Sequence, residues 1–336
     1  MGLLRRLAEM ALLLLALSLV LFALLHLAPG ASTEAVLLQS GEVSAEDAAR
    51  IARLRGEDRA ILVRYGCWLF GRDDDGTGCA FWPGRGLLHG DLGYSRVHKL
   101  PVADLLARRL AITLRITVPA FLAAILLSVA LALLGGRRPG SRLDRAVDHL
   151  ALAGISTPAH WIAMLAILVF AVGLRWLPPS GVDDPRDPGA WGAIRHAILP
   201  IAVLCFLYTC FFTRYARSAI AEVLAQDHVR MARAKGLPER RVLLRHVMRG
   251  ALVPVVTVIA QSLPAVFGGA LVVERAFSYP GMGVLILESI QGDDHLVALV
   301  IFLALAALIM LATSLADALY RRLDPRIARG AEGTEA

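Results

Sequence analysis

The chain has 336 residues, of which 57% are hydrophobic and 19% are charged, and its mean hydropathy is +0.62. The apolar residues form long runs of Leu, Ala, Val and Ile, which excludes a disordered chain, a small disulfide scaffold and an ordinary soluble enzyme. The net charge of +7 does not indicate nucleic-acid binding, because the arginines cluster at the ends of the apolar runs, as membrane topology requires. The composition predicts an all-α polytopic membrane protein.

The apolar runs predict about six transmembrane helices, because each is long enough to cross a hydrocarbon core of about 30 Å. The first run follows Arg5 and Arg6 and is longer than the apolar core of a signal peptide, so we expect an uncleaved first helix. We also expect Pro158 to kink the long third span. The predicted spans are 7–28, 112–134, 146–174, 196–219, 251–273 and 296–319.

The distribution of arginine predicts the orientation. Linkers 135–146 and 214–249 are rich in arginine, whereas 175–195 is balanced and 274–294 is acidic. Since the basic linkers and the arginine-rich tail fall on the side of the N-terminus, both termini are expected in the cytoplasm of a cell with an inner membrane. The expected organisation is a first transmembrane helix with its tail (1–29), an extracytoplasmic segment (30–110), a five-helix core with a cytoplasmic loop near 220–250 (111–320) and a cytoplasmic tail (321–336).

The segment between the first two spans is too polar to cross the membrane. Ser44 with Asp47 is typical of a capping box, and the run 45–69 has helical spacing, so we expect a small helical cap on the outer membrane face. Cys67 and Cys79 would then face an oxidising compartment. Two alternatives stay open for them: a disulfide, or two unpaired and partly buried thiols.

The sequence contains no signature of a catalytic or metal site. There is no H-E-x-x-H pair and no G-x-S-x-G turn, and neither Lys99 nor Lys235 follows a glycine, as a phosphate-binding loop requires. We therefore expect no catalytic residue, no metal and no cofactor, and any ATP would be bound and hydrolysed by partner subunits. The middle of the spans is almost free of carboxylates, which disfavours a membrane-embedded enzyme and a proton-coupled carrier. A stand-alone secondary transporter or channel remains the alternative.

The loop between the fourth and fifth spans carries most of the functional signal. Gly236 can adopt the left-handed conformation that ends a helix, and Pro238 followed by Glu239 suits the start of the next one. The pattern predicts a short rigid elbow (residues 227–241) that can pass a push from a soluble partner into two membrane helices. The alternative, that the positive-inside rule alone produced this loop, explains the arginines but not the Gly-x-Pro break.

The stretch 227–236, Asp-His-Val-Arg-Met-Ala-Arg-Ala-Lys-Gly, resembles the coupling loop of ABC importer permeases of the dipeptide/oligopeptide/nickel group. Weaker resemblances follow in the same order on the expected sides of the six spans, and together they identify the chain as a member of that group. They lie at 24–30, 90–95 with 101–102, 177–181, 277–283 and 323–326.

The resemblance implies a type I permease fold and one half of a translocation pathway. It implies as partners a paralogous second permease chain, two ABC ATPase subunits, an extracytoplasmic substrate-binding protein and membrane lipid, with no nucleic acid. A coupling helix formed by 232–241 would lie in a groove of an ATPase, and Gln261 and Ser262 are candidates for lining the pathway, the alternative being helix–helix hydrogen bonds. Peptides, nickel and glutathione all remain candidate substrates, and an exporter half is a further alternative. The expected coupling residues are Ala232, Arg233, Ala234, Lys235, Gly236, Pro238, Glu239, Arg240 and Arg241.

Overall fold

The computed structural model describes residues 2–27, 44–54, 56, 58–71, 79, 84–136, 140–183, 189–267 and 271–323. Predictions for 28–43 and 324–336, which include the end of the first span and most of the C-terminal tail, lie outside the described residues. The helices are α1 (Gly2–Leu27), α2 (Ala45–Leu54), α3 (Ile61–Phe70), α4 (Val102–Gly136), α5 (Arg142–Ser156), α6 (Ala159–Ala166), α7 (Ala190–Leu224), α8 (Asp227–Ala234), α9 (Glu239–Arg241), α10 (Met248–Phe267), α11 (Leu271–Ala276), α12 (Met282–Gln291) and α13 (His295–Leu323). Short π-helical stretches, Ile167–Gly173 and Val242–Val247, extend α6 and join α9 to α10.

Within the described residues, four helices are long and apolar enough to cross a membrane, and the number rises to six if each of two bent helix pairs is one span. The all-helical polytopic fold with about six spans is thus confirmed. Helices α4 and α7 are longer than the spans predicted at 112–134 and 196–219, since polar residues beyond the apolar run continue the helical hydrogen bonding. Residues 268–270 of the predicted fifth span lie outside the described part of the chain.

The third span was wrongly predicted as one kinked helix over 146–174. The structure contains two helices, α5 and α6 with its π-helical extension, which meet at 102°. Thr157 has an extended conformation (φ −88°, ψ 128°), and Pro158 stands at the start of α6 (φ −58°, ψ 135°). Proline disfavours the helical conformation of the residue before it and lacks an N–H for the helical ladder, so the chain breaks here instead of bending.

The chain divides into two compact units, and the first comprises Met1–Leu110 and Leu285–Leu308. Its apolar core contains Phe22, Tyr65, Trp68, Leu69 and Leu299, all buried. The predicted helical cap is present as α2 and α3, and the Ser44 hydroxyl caps α2 by accepting a hydrogen bond from the Asp47 N–H at 3.2 Å.

Two polar contacts within the same unit connect Glu288 near the end of α12 to Arg109 of α4, and Asp294 just before α13 to Ser95 in the segment before α4. Asp294 accepts a hydrogen bond of 2.5 Å from the Ser95 hydroxyl, and Arg109 donates one of 2.9 Å to Glu288. Asp294 is 1% exposed, so this contact is shielded from water.

The second unit comprises Ala111–Val284 and Ile309–Ala336 and contains two apolar clusters. The larger cluster joins α4, α6, α7, α10 and α11, and its aromatic centre includes Phe121, Phe212, Phe277 and Tyr279. The second cluster joins the last turns of α7 to α8 and to the π-helical stretch that leads into α10. This second cluster positions the elbow.

Candidate functional site

The elbow consists of a short helix, a sharp turn and the start of a second helix. Helix α8 follows α7 after a two-residue turn and ends at Ala234. Gly236 has φ +74°, the left-handed conformation expected from the sequence, and Pro238 (φ −63°, ψ 141°) stands immediately before α9. The prediction that 232–241 forms one coupling helix is wrong, because Gly236 and Pro238 interrupt it and the short helix is instead Asp227–Ala234.

An ion pair spans the turn of the elbow. The Arg233 guanidinium donates two hydrogen bonds to the Glu239 carboxylate, at 2.6 Å and 3.2 Å. This hydrogen bonding raises the pKa of Arg233 above its ordinary value, so the guanidinium stays charged. Both side chains are partly exposed, which limits how much this ion pair stabilises the elbow. The two hydrogen bonds still connect the residues on either side of Gly236.

Apolar side chains anchor the elbow from beneath. Val229 and Ala232 on α8 are buried against Ile220 and Val223 of α7 and against Val242 at the start of the following helix. The same cluster therefore contains the elbow and the ends of both helices that it connects. Because packed interiors deform little, a displacement of the elbow must be shared by α7 and by the helix leading into α10.

The exposed surface of the elbow carries most of the expected coupling residues. The buried exception is Ala232, which is 5% exposed. Met231, which the sequence analysis did not single out, is 59% exposed and presents an apolar side chain on the outer surface of α8. No local sequence pattern marks Met231, because the buried face of α8 is defined by the side chains of α7 and of the helix leading into α10 that pack against it. The exposed coupling residues are Arg233, Ala234, Lys235, Gly236, Pro238, Glu239, Arg240 and Arg241.

A cluster of charged residues connects α5 to α7 near the elbow. Arg217 of α7 donates hydrogen bonds of 2.6 Å and 3.0 Å to the two oxygens of Asp144 and one of 2.8 Å to Asp148. Asp144 also accepts a hydrogen bond of 2.9 Å from the Gly140 N–H, and the Ser141 hydroxyl caps α5. Asp144 is 4% exposed, so this carboxylate depends on its partners. Arg217 and Asp144 are far apart in the sequence, and no local pattern marks the pair.

The two candidate pathway residues on α10 differ in their surroundings. Gln261 is exposed, whereas the Ser262 hydroxyl donates a hydrogen bond of 2.7 Å to the Val258 carbonyl of the same helix. The Ser262 hydroxyl is thus engaged within its own helix, a common arrangement for serine in membrane helices. Gln261 is the one of the two that is exposed at the surface of the chain.

A buried carboxylate organises the loop after α11. Glu274 accepts a hydrogen bond of 2.6 Å from the Thr113 hydroxyl and one of 3.2 Å from the Val284 N–H. The Thr113 hydroxyl in turn accepts a hydrogen bond of 2.8 Å from the Met282 N–H. A Cβ on Gly281 would collide with the Glu274 carboxylate, which explains the glycine at this position.

The remaining predicted site residues concern the two cysteines and metal binding. The structure joins Cys67, near the end of α3, to Cys79 by a disulfide, and Cys67 is almost fully buried. Among the residues that the structure describes, no group of three or more His, Cys, Asp or Glu side chains could hold a metal ion.

The fold and the elbow define a multi-pass α-helical membrane protein. Residues 124–329 match the family described as binding-protein-dependent transport system inner membrane component, and the chain belongs to this family. It is 32% identical over 316 residues to the oligopeptide transport system permease protein AppB of Bacillus subtilis, which covers 94% of this chain and 95% of that protein. It is 30% identical over 342 residues to the dipeptide transport system permease protein DppB of Alkalihalophilus pseudofirmus, which covers 96% of this chain and 98% of that protein. A chain from the crystal structure of an amino acid ABC transporter has a TM-score of 0.49 and 13% identity, over 66% of this chain and 94% of that chain.

Family membership establishes the class of transport. The chain is the permease subunit of an ABC importer, a multi-pass component of the inner membrane that works with an ATPase and a substrate-binding protein. A stand-alone secondary transporter or channel, the alternative that the sequence left open, does not fit this family.

Proposed function

We propose that this chain forms half of a translocation pathway for peptides or similar small solutes. The relatives named as oligopeptide and dipeptide permeases support this substrate class. The other half would be a paralogous second permease chain, with two ATPase subunits on the cytoplasmic side and an extracytoplasmic binding protein that delivers the solute. We assign no catalytic residue and no cofactor to this chain, which acts as a transport subunit while the ATPase subunits bind and hydrolyse ATP.

The elbow is the observation that carries this proposal. It is exposed on one side and packed on the other into the cluster that holds α7 and the helix leading into α10. A partner that moves the elbow therefore moves two membrane helices together. Closure of the ATPase dimer on ATP would switch the pathway to its outward-open state, and hydrolysis would reset it.

The exposed side of the elbow would be the ATPase contact. Met231 supplies an apolar anchor, and Arg233, Lys235 and Arg240 supply positive charge around it. Such an apolar centre with a charged rim is typical of protein interfaces. Ala232 would contribute from beneath, by holding α8 against the apolar cluster.

The orientation follows from the same surface. The positive-inside rule supports a cytoplasmic position for the arginine-rich linkers and the elbow, and with them for both termini. The segment that carries the Cys67–Cys79 disulfide then lies outside the cytoplasm, where disulfides persist.

The pathway would run beside α10. Gln261 is the stronger candidate for contacting the solute, because this residue is exposed while the Ser262 hydroxyl is engaged with its own helix. A lone amide can hydrogen-bond the peptide groups of many solutes, which suits a pathway whose selectivity is set by the binding protein.

Substitutions of Gly236 test the coupling role. A Cβ at Gly236 would meet no atom within 4 Å, so valine or asparagine there changes the backbone preference without a steric clash, whereas proline also removes the hydrogen bond of 2.9 Å from the Gly236 N–H to the Arg233 carbonyl. Proline cannot adopt φ +74°, and valine would be strained by about 1–2 kcal/mol, whereas asparagine tolerates this conformation. We expect the proline and valine variants to insert normally but to hydrolyse ATP without importing radiolabelled trialanine in proteoliposomes, and the asparagine variant to import it. Normal trialanine import by the proline variant would overturn the coupling role.

A further inference from the structure

An apolar cavity of about 430 Å³ lies within the first unit. Its walls come from α1, the end of α3, the turn around Leu87, the start of α4 and the first half of α13. The residues that line it include Leu15, Ser18, Leu69, Leu106, Leu303 and Ala307.

The cavity opens among surfaces that face the membrane. Helices α1, α4 and α13 are candidate membrane spans, and only 11% of the residues in the most apolar part of α1 are buried within the structure. Leu12 on α1 is 68% exposed beside the cavity, and Phe70 (56% exposed) and Leu88 (62%) are exposed in the segment that is expected on the outer membrane face. The hydrocarbon of the bilayer surrounds the exposed apolar surface of membrane-spanning helices such as α1 and α13.

The lining offers an occupant no polar partner. The hydroxyl of Ser18 is engaged with the Leu15 carbonyl at 2.8 Å and with the Tyr65 hydroxyl at 2.7 Å. The other lining side chains are alanine and leucine with one valine, so water has nothing to bind and a cavity of this kind stays dry. An empty cavity of this size would forfeit the dispersion contacts of its whole lining.

We propose that this cavity holds an acyl chain of a membrane phospholipid, wedged between the first transmembrane helix, the extracytoplasmic helix α3 and the last transmembrane helix. The bilayer supplies this occupant at the mouth of the cavity, and an unbranched hydrocarbon chain matches a lining without polar groups. The bound chain completes the contact of α1 with α3, which otherwise rests on the small core around Phe22, Tyr65 and Trp68.

The test uses the transporter assembled with its partner subunits and a phospholipid with a photoactivatable diazirine in its acyl chain. The complex is reconstituted with this lipid and washed extensively in detergent before irradiation, so that only retained lipid can react. We expect covalent label on the segments of α1 and α13 that carry Leu15 and Leu303, at about one lipid per copy of this chain.

Filling the cavity should remove the label. Ala307→Trp places an indole in the cavity, and Ala11→Phe fills it independently from α1. Val20→Trp is the control, because Val20 is 54% exposed on α1 and does not line the cavity. We expect both filling variants to co-purify with their partners but to lose most of the label, and the control to keep it.

The proposal is overturned if the unmodified complex retains no label, or if both filling variants assemble and keep the label. It is also overturned if a cysteine at position 303 forms a chemical cross-link to the second permease chain, because that chain and not a lipid would then cover the cavity. If neither filling variant assembles, the absence of label from Leu15 and Leu303 in the unmodified complex refutes it.

Discussion

Replacing Arg217 by alanine should loosen α5 from α7 about two helical turns before the end of α7. The substitution removes three hydrogen bonds to carboxylates and leaves Asp144, whose side chain is 5% exposed, without its cation. We expect slower solute import as well as lower stability, because in the proposed mechanism the elbow displaces α7 and this ion pair adds to the packing of Gly154 against Cys210 that holds α5 on α7.

The magnitude follows from the burial of the cluster. Breaking a fully buried ion pair costs about 3–5 kcal/mol. The Arg217 side chain is 30% exposed and Asp144 keeps the hydrogen bond from the Gly140 N–H, so water and backbone offset part of this loss. A cost of about 2 kcal/mol is expected, equivalent to a roughly 30-fold change in an equilibrium constant. Asp148→Ala should cost less than about 1 kcal/mol, because the Asp148 side chain is 48% exposed.

Thermal unfolding of the purified complex and trialanine import in proteoliposomes measure the two effects. The matched control is Arg214→Ala, an exposed arginine on the same helix. The charge-exchanged variant with Arg217→Asp and Asp144→Arg should recover part of the lost import, which a loss of packing alone would not predict. Import and thermal stability of Arg217→Ala equal to those of Arg214→Ala would refute the reasoning.

Three further outcomes are expected. Arg233→Glu should weaken ATPase co-purification and place two carboxylates across the elbow. Adding Glu239→Arg in the same chain should restore an ion pair across the elbow but not the positive charge at position 233. Gly281→Ala should cost roughly 1–3 kcal/mol in thermal unfolding, because its Cβ would lie 2.5 Å from the Thr113 hydroxyl and overlap the Glu274 carboxylate. Cys67 and Cys79 should resist thiol labelling in the unreduced protein and react after reduction.

Each of these has a result that contradicts it. Unchanged ATPase co-purification with Arg233→Glu would remove that arginine from the contact surface. Gly66→Ala is the control for Gly281, since a Cβ at Gly66 meets no atom within 4 Å, and equal stability of the two variants would contradict the packing argument. Complete labelling of both cysteines without reductant would exclude the disulfide in the native protein.

The parts of this fold that sequence predicts well are those fixed by local chemistry. Apolar runs mark the spans, the Ser44 hydroxyl caps α2, and a glycine two residues before a proline marks the turn of the elbow. Each of these depends on residues within a few positions of one another, so the pattern is visible in the chain itself.

The parts that sequence missed depend on distant residues or on competing local effects. The pairing of Arg217 with Asp144 joins two helices, and the hydrogen bond between Thr113 and Glu274 joins α4 to α11. Pro158 marks the position of the bend, but the sequence pattern is the same whether a helix kinks or breaks completely at a proline. Ala232 is buried and Met231 is exposed because α8 is amphipathic. Which face of α8 is buried is known only once the elements that pack against it are known.

The most direct test of the coupling role is a photo-cross-link from Met231 in the assembled transporter. Met231 is 59% exposed on the elbow, so p-benzoylphenylalanine at this position should be accommodated without repacking. The control is the same substitution at Leu62, which is 70% exposed in the segment before the second span. The account predicts an adduct with the ATPase subunit from position 231, with a yield that changes on ATP addition, and none from position 62. No ATPase adduct from position 231, or labelling of a cysteine there by a membrane-impermeant reagent outside intact cells, would contradict it.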